Sequence, residues 1–432
     1  MCLLARTRFL SLASMLALAA LAAPGCAVDG EDDHIANSDD GSSDYDITQV
    51  SQSKVKRQSI GNCWLYATTS WLEALNKGAT GEERNTSESW LTYWHWFEQI
   101  ANGGVSKALS TGGSYATAAS LIARYGLMNE ADFIPAEGSS EMSYRQQAAL
   151  DAVNASLESG PLSNPATRRD KVEVRKTLDA AWGLSPAQSA RIDAVFGAGV
   201  TRTLDRSTAA NDAAPGNAVI RPQDFAARLK DPQSGQFVTG TLADAVGKSN
   251  GWYGPRQGKF AWNEADYPSA PTARRAFWKR VQRALHDGQP VITSWKVDFN
   301  ALTRDSHFSK AELDRLGPGR QGGHMTVMHD YQAEVPGVGL LEAGQQATPE
   351  QMTKALAEGT KIEFVRVKNS WGGIRPDRWD SAILPGYHDL DLEYLDGPIK
   401  QCVEDPVTHS SDPTKCDREV TPLWDVVLPA GY

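Results

Sequence analysis

The stretch QSIGNCWLYA, residues 58 to 67, sets one cysteine, Cys63, between Gly61-Asn62 and Trp64. A cysteine in that setting can be a core thiol, half of a disulfide, or a nucleophile. A thiolate nucleophile needs a base that also delivers a proton to the leaving group, and a third group that orients the base. Downstream, His286, His307, His324, His329 and His388 are the histidines to weigh. His324 gains most from its surroundings, QGGHMTVMHDY: Gly322 and Gly323 clear space ahead of it, and MTVM reads as a buried strand. His329 would face the opposite side of such a strand. In KIEFVRVKNSWGG, residues 361 to 373, a strand pattern ends at Asn369-Ser370-Trp371-Gly372. The Asn369 side-chain oxygen can accept an imidazole N–H, and Trp371 can shield that bond from water. Taken alone, NSWG reads equally well as a turn.

These residues need elements to hold them. In CWLYATTSWLEALN, Trp64, Ala67, Trp71 and Leu75 fall at steps of 3, 4 and 4, one face of an amphipathic helix that Gly78 should end. Asn62 is the expected N-cap, which puts Cys63 in the first turn, where unpaired N–H groups and the helix dipole favour a thiolate. A buried structural cysteine is the competing reading, because free cysteines are among the most buried residues. Residues 140 to 250 read as mainly helical, with SPAQSARIDAVF opening on a Ser185 cap and Pro186 in the first turn.

The bulk composition narrows the class. The 432 residues are 41% hydrophobic and 22% charged, ample for a full core. A net charge of −10 without a long Lys/Arg run argues against nucleic acid or anionic lipid as the main partner. Residues 1–26 read as a signal peptide, with Arg6 and Arg8 ahead of an apolar run, Phe9 to Ala23, that is short for a bilayer span. The run ends in A-P-G-C, which places Cys26 like the lipidated cysteine of a bacterial lipoprotein; cleavage after Ala22 or Ala27 would give a freely secreted chain. Residues 27–49, containing DGEDDHIANSDDGSSDYD, form an acidic tether too poor in apolar groups to fold. Residues 50–432 then make up the folded domain.

Export sets an oxidising environment, and cysteine counting becomes informative there. With Cys2 and Cys26 in the leader, Cys402 and Cys416 bracket a polar loop and make a natural disulfide, adding roughly 3 kcal/mol by loop closure. That leaves Cys63 unpaired, which in a secreted chain needs a reason. No CxxC or histidine pair at ligand spacing points to a metal.

Together these motifs resemble the papain-like cysteine peptidases: GNCW for the nucleophile, GGH for the base, KNSWG for the orienting asparagine, in the order Cys…His…Asn. TGGSYATAASLIARYGL, residues 111 to 127, resembles the family's Gly-Gly segment, so the resemblance implies Gly112 and Gly113 as substrate-binding backbone, with Gly323 and Trp371 as further substrate-binding residues. CWLYA, SESWLTYWHWFEQIANGG, ALHDGQPVITSWKVD, PGYHDLDLEYLDGPI and PLWDVVLP are similar to the bleomycin-hydrolase and aminopeptidase branch. The resemblance covers roughly residues 50 to 135 and 285 to 430. It implies an α+β, two-lobed papain-like fold with the site between a helical lobe and a twisted antiparallel sheet.

The implied activity is peptide-bond hydrolysis through a thioester, with Cys63, His324 and Asn369 as the triad, peptides or proteins as substrates, and no cofactor. A catalytically inactive binding protein and an amidase or transferase are the other readings the family allows. Two departures stand out. The family's oxyanion glutamine precedes the cysteine by six residues, whereas Gln58 precedes Cys63 by five and Arg57 occupies the usual place. EVPGVGLLEAGQQATPEQMTKALAEGT, between the histidine and asparagine strands, is an insertion expected as a surface loop and short helix. In the bleomycin-hydrolase branch the C-terminus can block the cleft and enforce exopeptidase action; this chain ends LPAGY432.

Overall fold

The computed structural model describes residues 50–105, 107–205, 218–373, 384–404, 411–412 and 414–432. The expected signal peptide, Cys26 and the acidic tether all lie outside these residues.

The first half of the described chain is helical. It runs α1 (Cys63–Thr80), α2 (Glu88–Ala101), α3 (Tyr115–Tyr125), α4 (Glu130–Phe133), α5 (Arg145–Glu158), α6 (Pro165–Arg169), α7 (Lys171–Trp182) and α8 (Pro186–Phe196). Capping follows side-chain chemistry: Ser87 accepts from the Trp90 N–H, Ser114 from Thr117, and Ser185 forms a reciprocal capping box with Gln188. Helix α2 is buried along nearly its whole length, because its WLTYWHWF run leaves no polar face. Its rings pack edge-on and stacked, with Trp94 lying flat on Tyr125 at 3.9 Å.

Three local expectations need correction. Helix α1 runs through Gly78 and ends at Gly81, whose φ of 74° suits a residue without a Cβ. Asn62 precedes the helix but does not cap it through its side chain; its amide donates instead to Thr92 and Gln146, tying α1 to α2 and α5. The helical reading of 140–250 stops at Phe196, and a hairpin follows, β1 (Ala226–Lys230) against β2 (Phe237–Thr241), before the short α9 (Leu242–Val246).

The second half builds the sheet. Its elements are β3 (Trp262–Asp266), α10 (Pro271–His286), β4 (Val291–Asp298), β5 (His307–Phe308), α11 (Lys310–Leu316), β6 (Gln321–Val335), β7 (Gly339–Leu341), α12 (Pro349–Lys354), β8 (Lys361–Lys368), β9 (Tyr387–Asp391) and α13 (Leu392–Asp396). Short strands β10 (Ile399–Gln401), β11 (Val403–Glu404), β12 (Ser411–Asp412) and β13 (Arg418–Val420) lead to β14 (Leu423–Pro429). The strand order is β3-β14-β4-β6-β8-β9-β5, with β7 paired to β6, and the pairings are antiparallel except β5 with β9. The insertion after the histidine strand thus forms the β6–β7 hairpin as well as helix α12.

The molecule is therefore α+β, with one apolar core in each half. Met325 and Val327 of β6, Ile292 of β4 and Val427 of β14 join the helical core around α1 and α2. Val291, Trp295, Met328 and Val426, from alternate positions, join the core beneath α10 and α13. The sheet is thus the wall between the two cores, and helix α1 lies against β6.

Candidate active site

Cys63 is the first residue of α1, a thiol outside the disulfide among the described residues and with 7% of its surface exposed. The first turn of α1 carries no acidic residue, so no carboxylate competes for the positive end of the helix. Trp64 fixes the entrance to the helix: its indole N–H donates to the Thr111 carbonyl at 2.8 Å, and its ring meets His95 edge-on. Burial holds the His95 imidazole down at about 4, so at neutral pH it is an uncharged packing partner.

His324 lies near the start of β6, in register with Trp295 of β4. Its Nε2 is 2.7 Å from Asn369 Oδ1, an oxygen that also accepts the Ser370 N–H at 2.7 Å. Trp371 stacks on the imidazole at 4.8 Å with an interplanar angle of 20°, and Trp295 meets it edge-on at 5.6 Å. The ring is thus clamped between two indoles and oriented by one amide. With the amide oxygen as acceptor, the proton of this contact belongs to Nε2. Asn369 is itself held: its backbone N–H donates to Gly386, and its amide nitrogen lies 3.3 Å from His388 Nδ1.

Gln58 is wholly buried, and its segment is stapled to the asparagine turn. The Gln58 N–H donates to the Ser370 carbonyl, the Gly372 N–H to Lys56, and Arg57 bridges Trp371. The Gln58 amide accepts from the Ser370 hydroxyl at 2.5 Å and donates through Nε2 to the Ile60 carbonyl at 2.8 Å. This glutamine is therefore positioned by the same four-residue turn that orients His324.

The glycines lie at the surface beside these groups. Gly112, Gly113 and Gly323 are exposed. A Cβ on Gly113 would lie 2.5 to 2.7 Å from the Trp64 ring, and one on Gly323 would lie 2.9 Å from Trp424. Each glycine is the gap that lets an indole pack under or over the backbone next to Cys63 or His324. Trp371, expected among the substrate-binding residues, is only 1% exposed and has almost no surface to offer a substrate; it covers the imidazole instead. Cys402 and Cys416 are disulfide-bonded, and the Cys402 N–H donates to the side chain of Gln321, three residues before His324.

Sequence reasoning missed several neighbours. Trp295 and Trp424 sat in segments read only for their overall pattern, and His388, weighed as a base, lies instead beside the Asn369 amide. A largely buried set of charges, Glu73, Glu88 and Lys368 with the part-buried Lys56, underlies the site. One signal was available: Glu73 is the lone charge in CWLYATTSWLEALN, on a helix otherwise built of apolar and small polar residues.

No protein-family profile matches this sequence, and no curated protein sequence matches it. Among solved structures, that of PepW from Lactobacillus rhamnosis is similar over 90% of this chain and 81% of that one, with 12% identity and a TM-score of 0.40. That is a distant likeness, and the geometry above stands apart from it.

Proposed function

We propose that this chain is a papain-like cysteine peptidase in which Cys63 is the nucleophile, His324 the acid–base group and Asn369 the residue that orients it. The observation that carries the reading is the 2.7 Å bond from His324 Nε2 to Asn369 Oδ1 under the Trp371 ring. That bond fixes a tautomer and a ring plane, which is what a general base working through Nδ1 requires.

In this reading the Cys63 thiolate adds to a peptide carbonyl carbon, and the carbonyl electron pair moves onto oxygen. The oxyanion is held by the Gln58 amide and a backbone N–H at the start of α1. As the tetrahedral species collapses, the imidazolium of His324 gives its proton to the leaving amine, and a thioester remains. Water then attacks with His324 taking its proton, and the acid product leaves with the thiolate restored. Gly112 and Gly113 would offer backbone to an extended peptide.

Strand β14 leads away from this chemistry. Leu423 of β14 is opposite Trp295, at the level of His324, and the strand then runs away from that level through Val427, opposite Ile292. Six residues of strand carry Pro429 roughly 20 Å along the sheet. Tyr432 is anchored there by its hydroxyl on Asp287 and by Lys230 near its ring. Export, as a lipoprotein through Cys26 or as a free secreted protein, fits the Cys402–Cys416 disulfide.

The test is alkylation of Cys63 by iodoacetamide at neutral pH in the wild type and His324→Ala, with Cys63→Ala as the blank. Profiling on N-acetylated peptides accompanies it. Fast alkylation that depends on His324, with cleavage inside blocked peptides, is expected. A thiol that reacts no faster than in His324→Ala, with no peptide cut, would sink the reading. Cleavage confined to amides that are not peptides would move it to an amidase.

A further inference from the structure

Beneath the site, four charged side chains that the mechanism does not use cluster together, three of them buried and Lys56 part-buried. Lys56 Nζ donates to Glu73 Oε1 at 2.8 Å, to Glu88 Oε1 at 2.8 Å and to the Thr86 carbonyl at 2.9 Å. The other Glu73 oxygen accepts from the Ser53 hydroxyl, and Ser53 Oγ accepts from Lys368 Nζ at 2.8 Å. Glu88 takes a further bond from Thr69 on α1. Ser53, Glu73, Glu88 and Lys368 are each no more than 3% exposed.

The chain positions of these groups are the informative part. Lys56 lies two residues before Gln58, Glu73 is on the helix that begins at Cys63, and Lys368 is the residue before Asn369. A small cavity of about 10 Å³, roughly the room that one water needs, lies between the cluster and the site. Lys56, Ser70, Thr326, Lys368, Asn369 and Ser370 are on its wall. Charges taken out of water at such a place are costly unless paired, so stability alone is a poor account of them.

We propose that Lys368 is a positioning residue: through Ser53 and Glu73, with Lys56 as the second cation, its ammonium locks the strand end bearing Asn369 to the helix bearing Cys63, and so sets the imidazole against the thiol. This rests on the triad reading above. Its physical content is alignment, since a misplacement of about 1 Å between reacting groups can cost on the order of 10²-fold in rate.

The environment of Lys368 supports the idea that its charge is conditional. Burial pushes the ammonium down to about 8, and Lys56 adds repulsion, while Glu73, Glu88 and Glu83 oppose the shift. Tyr66 faces it across the cavity and Tyr387 lies opposite it on β9, with His329 against that ring. Lys56, by contrast, is lowered by burial but raised further by Glu73 and Glu88, and stays charged. One cation of the pair is thus fixed, and the other is close to losing its proton in mildly alkaline solution.

The experiment compares wild type, Lys368→Met, Lys368→Arg, Ser53→Ala and His324→Ala, each checked for a native near-UV spectrum. The readouts are the iodoacetamide rate of Cys63 and the kcat and KM for a blocked peptide. Lys368→Met should lower kcat and the alkylation rate by roughly tenfold or more with KM little changed. Ser53→Ala, which cuts the relay but keeps both charges and is the milder change, should shift both in the same direction by about threefold. Lys368→Arg should restore most of the loss. If Lys368→Met does not fold, the Ser53→Ala result decides. Wild-type alkylation and kcat in the folded variants, alongside a slow His324→Ala, would overturn the proposal and leave the triad standing. A wild type no faster than His324→Ala would overturn both.

Discussion

His324 Nε2 and Asn369 Oδ1 are 2.7 Å apart, and the asparagine oxygen is shared with the Ser370 N–H of its own turn. The imidazole therefore borrows its orientation from a turn whose geometry is set by backbone bonding, not from a side chain free to rotate. Replacing Asn369 by Ala should free the ring to tilt between Trp295 and Trp371 and lower kcat by roughly tenfold to hundredfold, with KM nearly unchanged. His324→Ala should remove nearly all turnover. Steady-state kinetics on one peptide checks both, and an Asn369→Ala enzyme with wild-type kcat would contradict the assignment.

The position of Gln58 leads to a separable prediction. Its amide oxygen is held by the Ser370 hydroxyl and its nitrogen by the Ile60 carbonyl, so the group is pre-placed although it stands one residue closer to Cys63 than in the family pattern. Gln58→Ala should lower kcat by about 10²–10³ if the amide faces the developing oxyanion. Ser370→Ala removes only the bond that steadies it, and should cost about 1 kcal/mol of stability with a smaller kinetic effect. Equal and small kinetic losses in both variants would make Gln58 a structural strut only.

The candidate site residues stood out because they sit in short local motifs whose residue types are chemically constrained. Cys63 at a helix start, His324 after two glycines and Asn369 at a strand end each reflect local geometry, and local geometry is what a sequence displays. The Cys402–Cys416 bond was legible for a different reason, since only three cysteines follow residue 26 and these two bracket a polar loop. What was hidden depends on partners far apart in the chain. Asn62 looked like a cap but spends its amide on Thr92 and Gln146, 30 and 84 residues away. The Lys56–Glu73–Lys368 cluster joins positions 315 residues apart at its extremes, through Ser53. Residues 226–241 were read as part of a helical region, yet Leu229 and Ala227 bury against α1 while Phe237 stays outside, a two-residue alternation too short to stand out.

Two adjacent glycines should respond differently to the same change. A Cβ on Gly113 would overlap the Trp64 ring, which is pinned by its bond to Thr111, whereas one on Gly112 meets only Ser110 Oγ at 3.8 Å. Gly113→Ala should therefore destabilise the fold by about 1–3 kcal/mol. Gly112→Ala should leave the melting temperature almost unchanged. If the segment presents its backbone to substrate, Gly112→Ala should raise KM while the Cys63 alkylation rate stays at wild type. Thermal melts and kinetics on the two variants check the pair, and matching melting temperatures would refute the packing argument.

Asp425 supplies a pH test that is independent of catalysis. It sits on β14 beside a bulge, opposite Ser294 of β4 and Asp266 of β3. Burial raises its carboxyl to about 6, against the Ser294 hydroxyl bond, and the charges of Glu264 and Asp266 add to the shift. A carboxyl with a raised folded-state pKa holds its proton longer in the native state than in the unfolded chain. Stability therefore falls as the pH rises from about 4 through about 6, and above that range the ionised group costs up to about 3 kcal/mol. Asp425→Asn keeps an oxygen for Ser294 and carries no charge. It should raise the melting temperature at pH 7 to 8, have little effect near pH 4, and flatten the profile between. Urea denaturation at pH 4, 5, 6 and 7 measures this. A variant that is less stable than the wild type at pH 7 would mean that the Asp425 charge is compensated in the native state.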